Sequence, residues 1–316
     1  MELGVSVPAE QDLIERRGAF QAAERGLFQR YGVEPATRWL DLPEPTLRVR
    51  VIDAGQGPPL VLVHGGAGGF AGLWAPLMGA MDGVRTLAVD RPGHGLSDGF
   101  EYGAVEIRRH AVRFLESVLD GLGLAEASLA GNSMGGLWCL WMALEHPDRV
   151  SSVTLLGAPA FVLDTASRLH LMVKLRRMFM RRPPDLGQTR RILQQVAGRE
   201  AVEQAPPELV EAAYRVEALP DHRRGSLSLL EHAVRLGQAV PTLRLHEPEL
   251  ADVSRPVLLL WGDRDLFGDQ ETGRRASRAM PDARIEEIAA GHLPWLDQPD
   301  ACARAVSAFV RLHAPA

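Results

Sequence analysis

The chain has 316 residues, 46% of them hydrophobic, and a net charge of -5, an ordinary globular composition long enough to bury a large core. The acidic balance, with Lys174 the only lysine and no basic tail, excludes a general nucleic-acid binder. No window approaches the roughly 18 uninterrupted apolar residues of a membrane span, and Met1 to Gly4 places no basic stretch ahead of an apolar block. The expected compartment is therefore the cytoplasm, without stable membrane insertion.

Residues 9 to 31 carry Leu13, Phe20, Leu27 and Phe28 among charges and predict a helix. This N-terminal arm, residues 1–35, has three possible seats: the body, an inserted region, or the second subunit of a homodimer. Thr46 to Ile52 alternates apolar and charged residues, as a half-exposed antiparallel strand does. Leu60 to Val63 and Val84 to Val89 are continuous apolar-rich runs, expected of strands covered on both faces. Ala125 to Ala130, Val150 to Leu156, Pro256 to Trp261 and Arg284 to Ile288 read as further buried strands. Helical patterns fall at Val105 to Leu122, after Ser133, at Gln270 to Met280 and at Pro299 to Leu312. This alternation predicts an α/β fold, a doubly wound and mostly parallel sheet. From Ala160 to Asp252 there are helical patches and prolines but no strand of the buried type. Residues 160–252 are thus expected to form a helical cap inserted between the core segments 36–159 and 253–316. Cys139 and Cys302 fall in predicted helices without a metal-binding pattern and read as inert thiols.

The most informative stretch is Gly131-Asn132-Ser133-Met134-Gly135-Gly136. A serine between two glycines follows an apolar strand and opens a helical run. At a sharp strand-to-helix turn the flanking residues must be tiny, because strand and helix pass too close for a Cβ. A serine hydroxyl becomes nucleophilic only when a base takes its proton and a third group orients that base. His292, in Ala290-Gly291-His292, and Asp265, in Asp263-Arg264-Asp265, each follow the end of a predicted strand, where open α/β sheets build their sites. Asp263, directly after Gly262, reads as a turn-former and is the internal competitor of Asp265; Asp164 is a weaker rival for the acid. An oxyanion hole needs backbone N–H donors. Met134, after the nucleophile, supplies one, and Gly66, in His64-Gly65-Gly66-Ala67-Gly68-Gly69, supplies the other. A phosphate-binding loop is the competing reading of those glycines, but neither G-x-G-x-x-G nor a GK[ST] ending is present.

Taken together, these motifs and the block Asp90-Arg91-Pro92-Gly93-His94-Gly95-Leu96-Ser97-Asp98 resemble the α/β-hydrolase fold superfamily from residue 46 to 312. The resemblance implies that His64 and the Asp90 to Asp98 block shape active-site loops, with His94 structural. Asn132-Ser133-Met134-Gly135-Gly136 is similar to the elbow of the meta-cleavage-product hydrolases, which split carbon–carbon bonds. Their first loop usually reads Gly-Gly-Gly-Pro-Gly and a Trp tends to follow the histidine, whereas this chain has Gly65-Gly66-Ala67-Gly68-Gly69 and Leu293. Epoxide hydrolases and haloalkane dehalogenases use an aspartate where Ser133 stands, and proline iminopeptidases usually place Trp after the serine.

The expected activity is hydrolysis of a carboxylic ester of a small or medium hydrophobic substrate through an acyl-enzyme, with no cofactor or metal called for. Carbon–carbon bond hydrolysis by the same residues is the alternative. A ligand-binding or slow biosynthetic protein that retains the triad is the rival from another class. In the cap, Leu171, Leu175, Met178 and Phe179 share a helical face, with Arg176, Arg177, Arg181 and Arg182 nearby. Those arginines read first as a solvated face, and second as a clamp for an acidic substrate group or a contact with anionic lipid.

Overall fold

The computed structural model describes residues 10–44, 46–66, 68–163, 165, 183–235 and 238–314. Its centre is an eight-stranded sheet in the order β1-β2-β4-β3-β5-β6-β9-β10. The strands are β1 (Ala36–Pro43), β2 (Thr46–Ala54), β3 (Pro59–Val63), β4 (Arg85–Val89), β5 (Ala127–Gly131), β6 (Val150–Leu156), β9 (Val257–Gly262) and β10 (Ala283–Ile288). β2 is antiparallel to both β1 and β4, and from β4 to β10 every neighbouring pair is parallel. Each parallel crossover carries a helix. The principal ones are α2 (Ala75–Ala80), α3 (Ile107–Gly121), α4 (Met134–Glu145) and α10 (Gln270–Ala279), and α12 (Pro299–Leu312) closes the chain.

Strand alternation divides the apolar residues between two cores. Val61 and Val63 of β3 enter the layer holding α3 and α4, while Leu60 and Leu62 enter the opposite layer with α2 and α12. Two elements differ from their sequence reading. The alternation at Thr46 continues backwards into β1, where only Leu40 and Leu42 are buried; so sparse a pattern is weak in sequence. The run Arg284 to Ile288, expected to be buried, forms the edge strand β10 with no fully buried residue. An edge strand has one neighbour, so Arg284, Glu286 and Glu287 stay solvated there.

The inserted region contributes α5 (Leu186–Ala197), α6 (Arg199–Gln204), α7 (Pro207–Glu217), α8 (Pro220–Ala233), a short hairpin of β7 (Val234–Arg235) and β8 (Gln238–Ala239), and α9 (Glu247–Ala251). Its two ends meet at a neck. Leu245 N–H donates to Phe161 O at 3.0 Å, Leu163 N–H donates to Leu245 O at 2.8 Å, and Val162 pairs with Leu245 in parallel. Opposite the neck, α8 lies on the loop after β4: Gly225 packs against Gly93, and Gly95 N–H donates to His222 Nδ1 at 3.1 Å.

The arm forms α1 (Glu10–Arg30) and docks on both the body and the inserted region of its own chain. Phe20, Leu27 and Phe28 are buried, Arg16 donates to Ala218 O beyond α7, and Arg17 donates to Leu96 O in the body. Glu24, also buried, meets Arg50 of β2 at 2.6 Å, and Arg50 in turn meets Asp90 at 2.6 Å. Burial pushes the Glu24 carboxyl up despite Arg50, since two acids share one guanidinium. Both cysteines are buried free thiols inside helices, as their sequence setting predicts.

Candidate active site

Ser133 ends the turn from β5 into α4 with φ 51° and ψ −117°, a conformation that side chains rarely adopt. The glycines either side explain how so sharp a turn packs. A Cβ on Gly131 would lie 2.5 Å from the Gly135 carbonyl carbon, and one on Gly135 would run into the carbonyl oxygen of Val63. The turn is held by Gly135 N–H to Asn132 O at 2.7 Å and Ala160 N–H to Ser133 O at 2.9 Å. Although Ser133 occupies the N-cap position of α4, its side chain makes no capping hydrogen bond. A plain helix-entry serine would use its oxygen there.

Asp265 and His292 are brought together by the loops after β9 and β10. His292 Nδ1 stands 3.0 and 2.9 Å from the two carboxylate oxygens of Asp265. The pair is almost wholly buried, with side-chain exposures of 3% and 0%. Asp265 also accepts from Ala158 N–H and Phe267 N–H, each at 2.8 Å. Burial raises its pKa, but the imidazole and these donors outweigh that and hold the carboxyl below its usual range. An ionised carboxylate only accepts, so Nδ1 carries the ring proton and the lone pair is left on Nε2. The Phe267 ring lies against the imidazole at 4.2 Å. Among the described residues His292 has no side-chain hydrogen bond except to Asp265, so Ser133 is not hydrogen-bonded to it in this state. Resting sites commonly tighten that contact only when substrate arrives.

Asp263 does what a turn-former does. Its carboxylate accepts from Ala290 N–H at 3.0 Å and pins the histidine loop to β9. Asp297 holds the same loop by accepting from Gly291 N–H at 3.0 Å. Gly66 stands beside Met134, where an added Cβ would lie 3.8 Å from the Met134 Cβ. Neither the Gly66 nor the Met134 backbone N–H has an acceptor among the described residues. The rival acid Asp164, the loop residue Ala67, and the cap residues Leu171, Leu175, Arg176, Arg177, Met178, Phe179, Arg181 and Arg182 lie outside the described residues.

Two residues of the quoted motifs make contacts that the sequence reading did not assign. Asn132 Nδ2 donates to Leu156 O at 2.6 Å and to His292 O at 3.0 Å, tying the elbow to β6 and to the histidine loop. Arg91, wholly buried, reaches Gly65 O in the loop after β3. Their motifs are local, but these contacts are not, because the partners are distant in the chain.

A family model for the α/β hydrolase fold matches residues 58–299, and the chain belongs to that family. It is a hydrolase of the α/β-hydrolase fold. A 2-hydroxy-6-oxo-6-phenylhexa-2,4-dienoate hydrolase from Burkholderia cepacia is 29% identical over 280 residues, which cover 83% of this chain and 91% of that protein. Among solved structures, a carboxylesterase from Bacillus subtilis superimposes with a TM-score of 0.75 at 23% identity, covering 93% of this chain and 98% of that one. A 2-hydroxy-6-oxo-6-phenylhexa-2,4-dienoate hydrolase from a Rhodococcus species gives 0.73 at 23% identity, covering 88% and 99%. At such identities the two structures share the fold. A dienoate hydrolase thus stands among the similar sequences, and a carboxylesterase among the structures that share the fold.

Proposed function

We propose that this hydrolase cleaves a carboxylic ester of a small or medium hydrophobic substrate, with Ser133 as nucleophile, His292 as base and Asp265 as the group that orients it. Ser133 Oγ attacks the ester carbonyl while His292 Nε2 takes its proton. The Gly66 and Met134 N–H groups receive the oxyanion. The imidazolium then protonates the leaving alkoxide, and water, deprotonated by the same Nε2, releases the acid from the acyl-enzyme. Asp265 keeps the proton on Nδ1 throughout. The observation that supports this most is the set formed by a strained serine whose hydroxyl caps nothing, two N–H groups without acceptors among the described residues, and a buried carboxylate–imidazole pair. Residues 160–252 are taken as the cap that selects the substrate.

Carbon–carbon cleavage of a vinylogous 1,5-diketone is the second reading, favoured by the likeness to the Burkholderia cepacia dienoate hydrolase. The same serine, histidine and donors serve both. Against it stands Leu293, buried where the resemblance leads one to expect Trp after the histidine. The test is a direct ratio: kcat/KM for p-nitrophenyl butyrate against kcat/KM for 2-hydroxy-6-oxo-6-phenylhexa-2,4-dienoate. A larger value for the ester supports the first reading, and a hundredfold preference for the dienoate replaces it with the second. Failure of a fluorophosphonate to label Ser133 would remove both.

A further inference from the structure

The peptide joining Gly65 to Gly66 is gripped from one side only. Arg91 Nη2 lies 2.5 Å from Gly65 O and 3.5 Å from Gly66 O. The Arg91 backbone N–H donates to His64 Nε2 at 3.1 Å, which makes Nε2 the acceptor and puts the ring proton on Nδ1. That Nδ1–H then donates to the same Gly65 oxygen at 2.9 Å. In a trans peptide the carbonyl of one residue and the N–H of the next point in opposite directions. Drawing Gly65 O toward Arg91 therefore aims the Gly66 N–H away from Arg91. Drawing electron density onto that oxygen also makes the N–H a stronger donor, as along any hydrogen-bond chain.

The guanidinium itself is anomalous. It is fully buried, and it forms no salt bridge with a carboxylate among the described residues; the neighbouring Asp90 is engaged by Arg50. Its Nε and Nη1 have no hydrogen-bond partner among the described residues, and its carbon lies 4.7 Å from the centre of the Trp138 ring. Burial brings its pKa down to about 10, so it is still charged at neutral pH. A cation enclosed without a counter-charge weakens a fold. Negative charge arising on the far side of the Gly65–Gly66 peptide would relieve that penalty, and it arises there only during the reaction.

We propose that Arg91 is a positioning residue for the oxyanion, its charge orienting and polarising the Gly65–Gly66 peptide so that Gly66 N–H binds a developing negative oxygen better than a neutral carbonyl. This rests on the serine mechanism proposed above, and the experiment separates the two. Wild-type protein is first treated with a fluorophosphonate; absence of a label on Ser133 removes the mechanism and this inference with it. With the label present, Arg91→Met is expected to lower kcat for p-nitrophenyl butyrate by about 30-fold or more, against the ~10²–10³-fold known for removing a direct oxyanion donor. KM should stay within about twofold, and the Ki of a trifluoromethyl ketone, whose serine adduct carries the oxyanion, should rise by the same factor as kcat falls. Arg91→Lys should recover at least tenfold of the loss, and Arg91→Met should melt no lower than wild type, since its apolar chain removes an uncompensated charge. An unchanged kcat, a Ki that does not move, or equal losses in the Met and Lys variants would overturn the inference. Should Arg91→Met fail to fold, Arg91→Gln against Arg91→Lys decides it, because both retain a donor and only one is charged; equal kcat values overturn the proposal and a tenfold difference upholds it.

Discussion

At Ser133 the backbone holds an angle that costs about 1–3 kcal/mol, and the surrounding contacts over-determine it: two glycines, the Gly135 and Ala160 hydrogen bonds, and the start of α4. The hydroxyl takes no part in that scaffold. Ser133→Ala should accordingly leave the melting temperature nearly unchanged while lowering ester turnover by up to ~10⁶-fold, the scale for a lost triad serine. Asp265→Asn should fold yet lose about 10⁴-fold in kcat, because an amide presents an N–H to Nδ1 and selects the wrong tautomer. Asp263→Asn, measured beside it, should lose far less, since an amide oxygen still accepts from Ala290 N–H. A reversal of those two losses would move the acid to Asp263. The sharp turn at Ser133 and the meeting of Asp265 with His292 were legible in sequence because both constrain local spacing: tiny residues about the serine, and a loop just past each strand end. The contacts of Asn132 and Arg91 were not, although both residues sit in the quoted motifs, since they depend on carbonyls at Leu156, His292 and Gly65 that only folding brings near.

Elements differ in how far their own residues specify them. In α4 the close approach to β3 leaves no room at Gly135, so Gly135→Ala must displace the backbone of Val63. We expect it to destabilise by about 2 kcal/mol or more, as overpacking does, and to lower activity by shifting Ser133. In α1 the opposite holds: nothing lies within 4 Å of a Cβ added at Gly18. Gly18→Ala should therefore stabilise by roughly 0.5–1 kcal/mol, the helix-interior penalty of glycine, with unchanged kcat. Urea titration of both variants checks the pair. The parallel strands were read correctly because burial on both faces leaves an uninterrupted apolar run. β1 and the exposure of β10 were not, since an edge strand carries half the hydrophobic signal or less. The helix of the arm was visible but its seat was not. That depended on Glu24 meeting Arg50, and on Arg16 and Arg17 reaching Ala218 and Leu96.

Across the whole molecule, stability should depend on pH well above the range of carboxylates. His64, His94 and His110 are buried, and burial, reinforced by the charge of Arg91, pushes each below the ordinary imidazole value, His110 to about 4. Their neutral forms are therefore built into the fold. Above about pH 6.5 folded and unfolded chains bind equal numbers of protons at these sites. Below it the unfolded chain takes up protons the folded one refuses, and stability is lost at about 1.4 kcal/mol per histidine per pH unit. Glu24, raised by burial, acts in the opposite sense and removes at most one proton from that count. Thermal melts from pH 7.5 to pH 5.5 should thus fall by several degrees. His110→Phe should flatten the fall, its ring replacing one that stacks on Phe100 at 4.3 Å. A melting temperature constant over that interval would contradict three neutral histidines.

The neck at Phe161, Val162 and Leu245 has a further consequence, for how such a hydrolase changes its diet. Both ends of the inserted region leave the body at one point, so to the core the insertion is a closed ring of chain. The entropy of closing a ring grows only with the logarithm of its length, about 0.6 kcal/mol for each doubling. Beyond the neck, helices can be lengthened or exchanged at little cost in chain closure, provided that α8 keeps its seat on Gly93 and Gly95 and the insertion keeps its contact with Gly291. An esterase and a carbon–carbon hydrolase can then descend from one ancestor by editing the ring alone, and the difference need leave no mark on the strands beneath it.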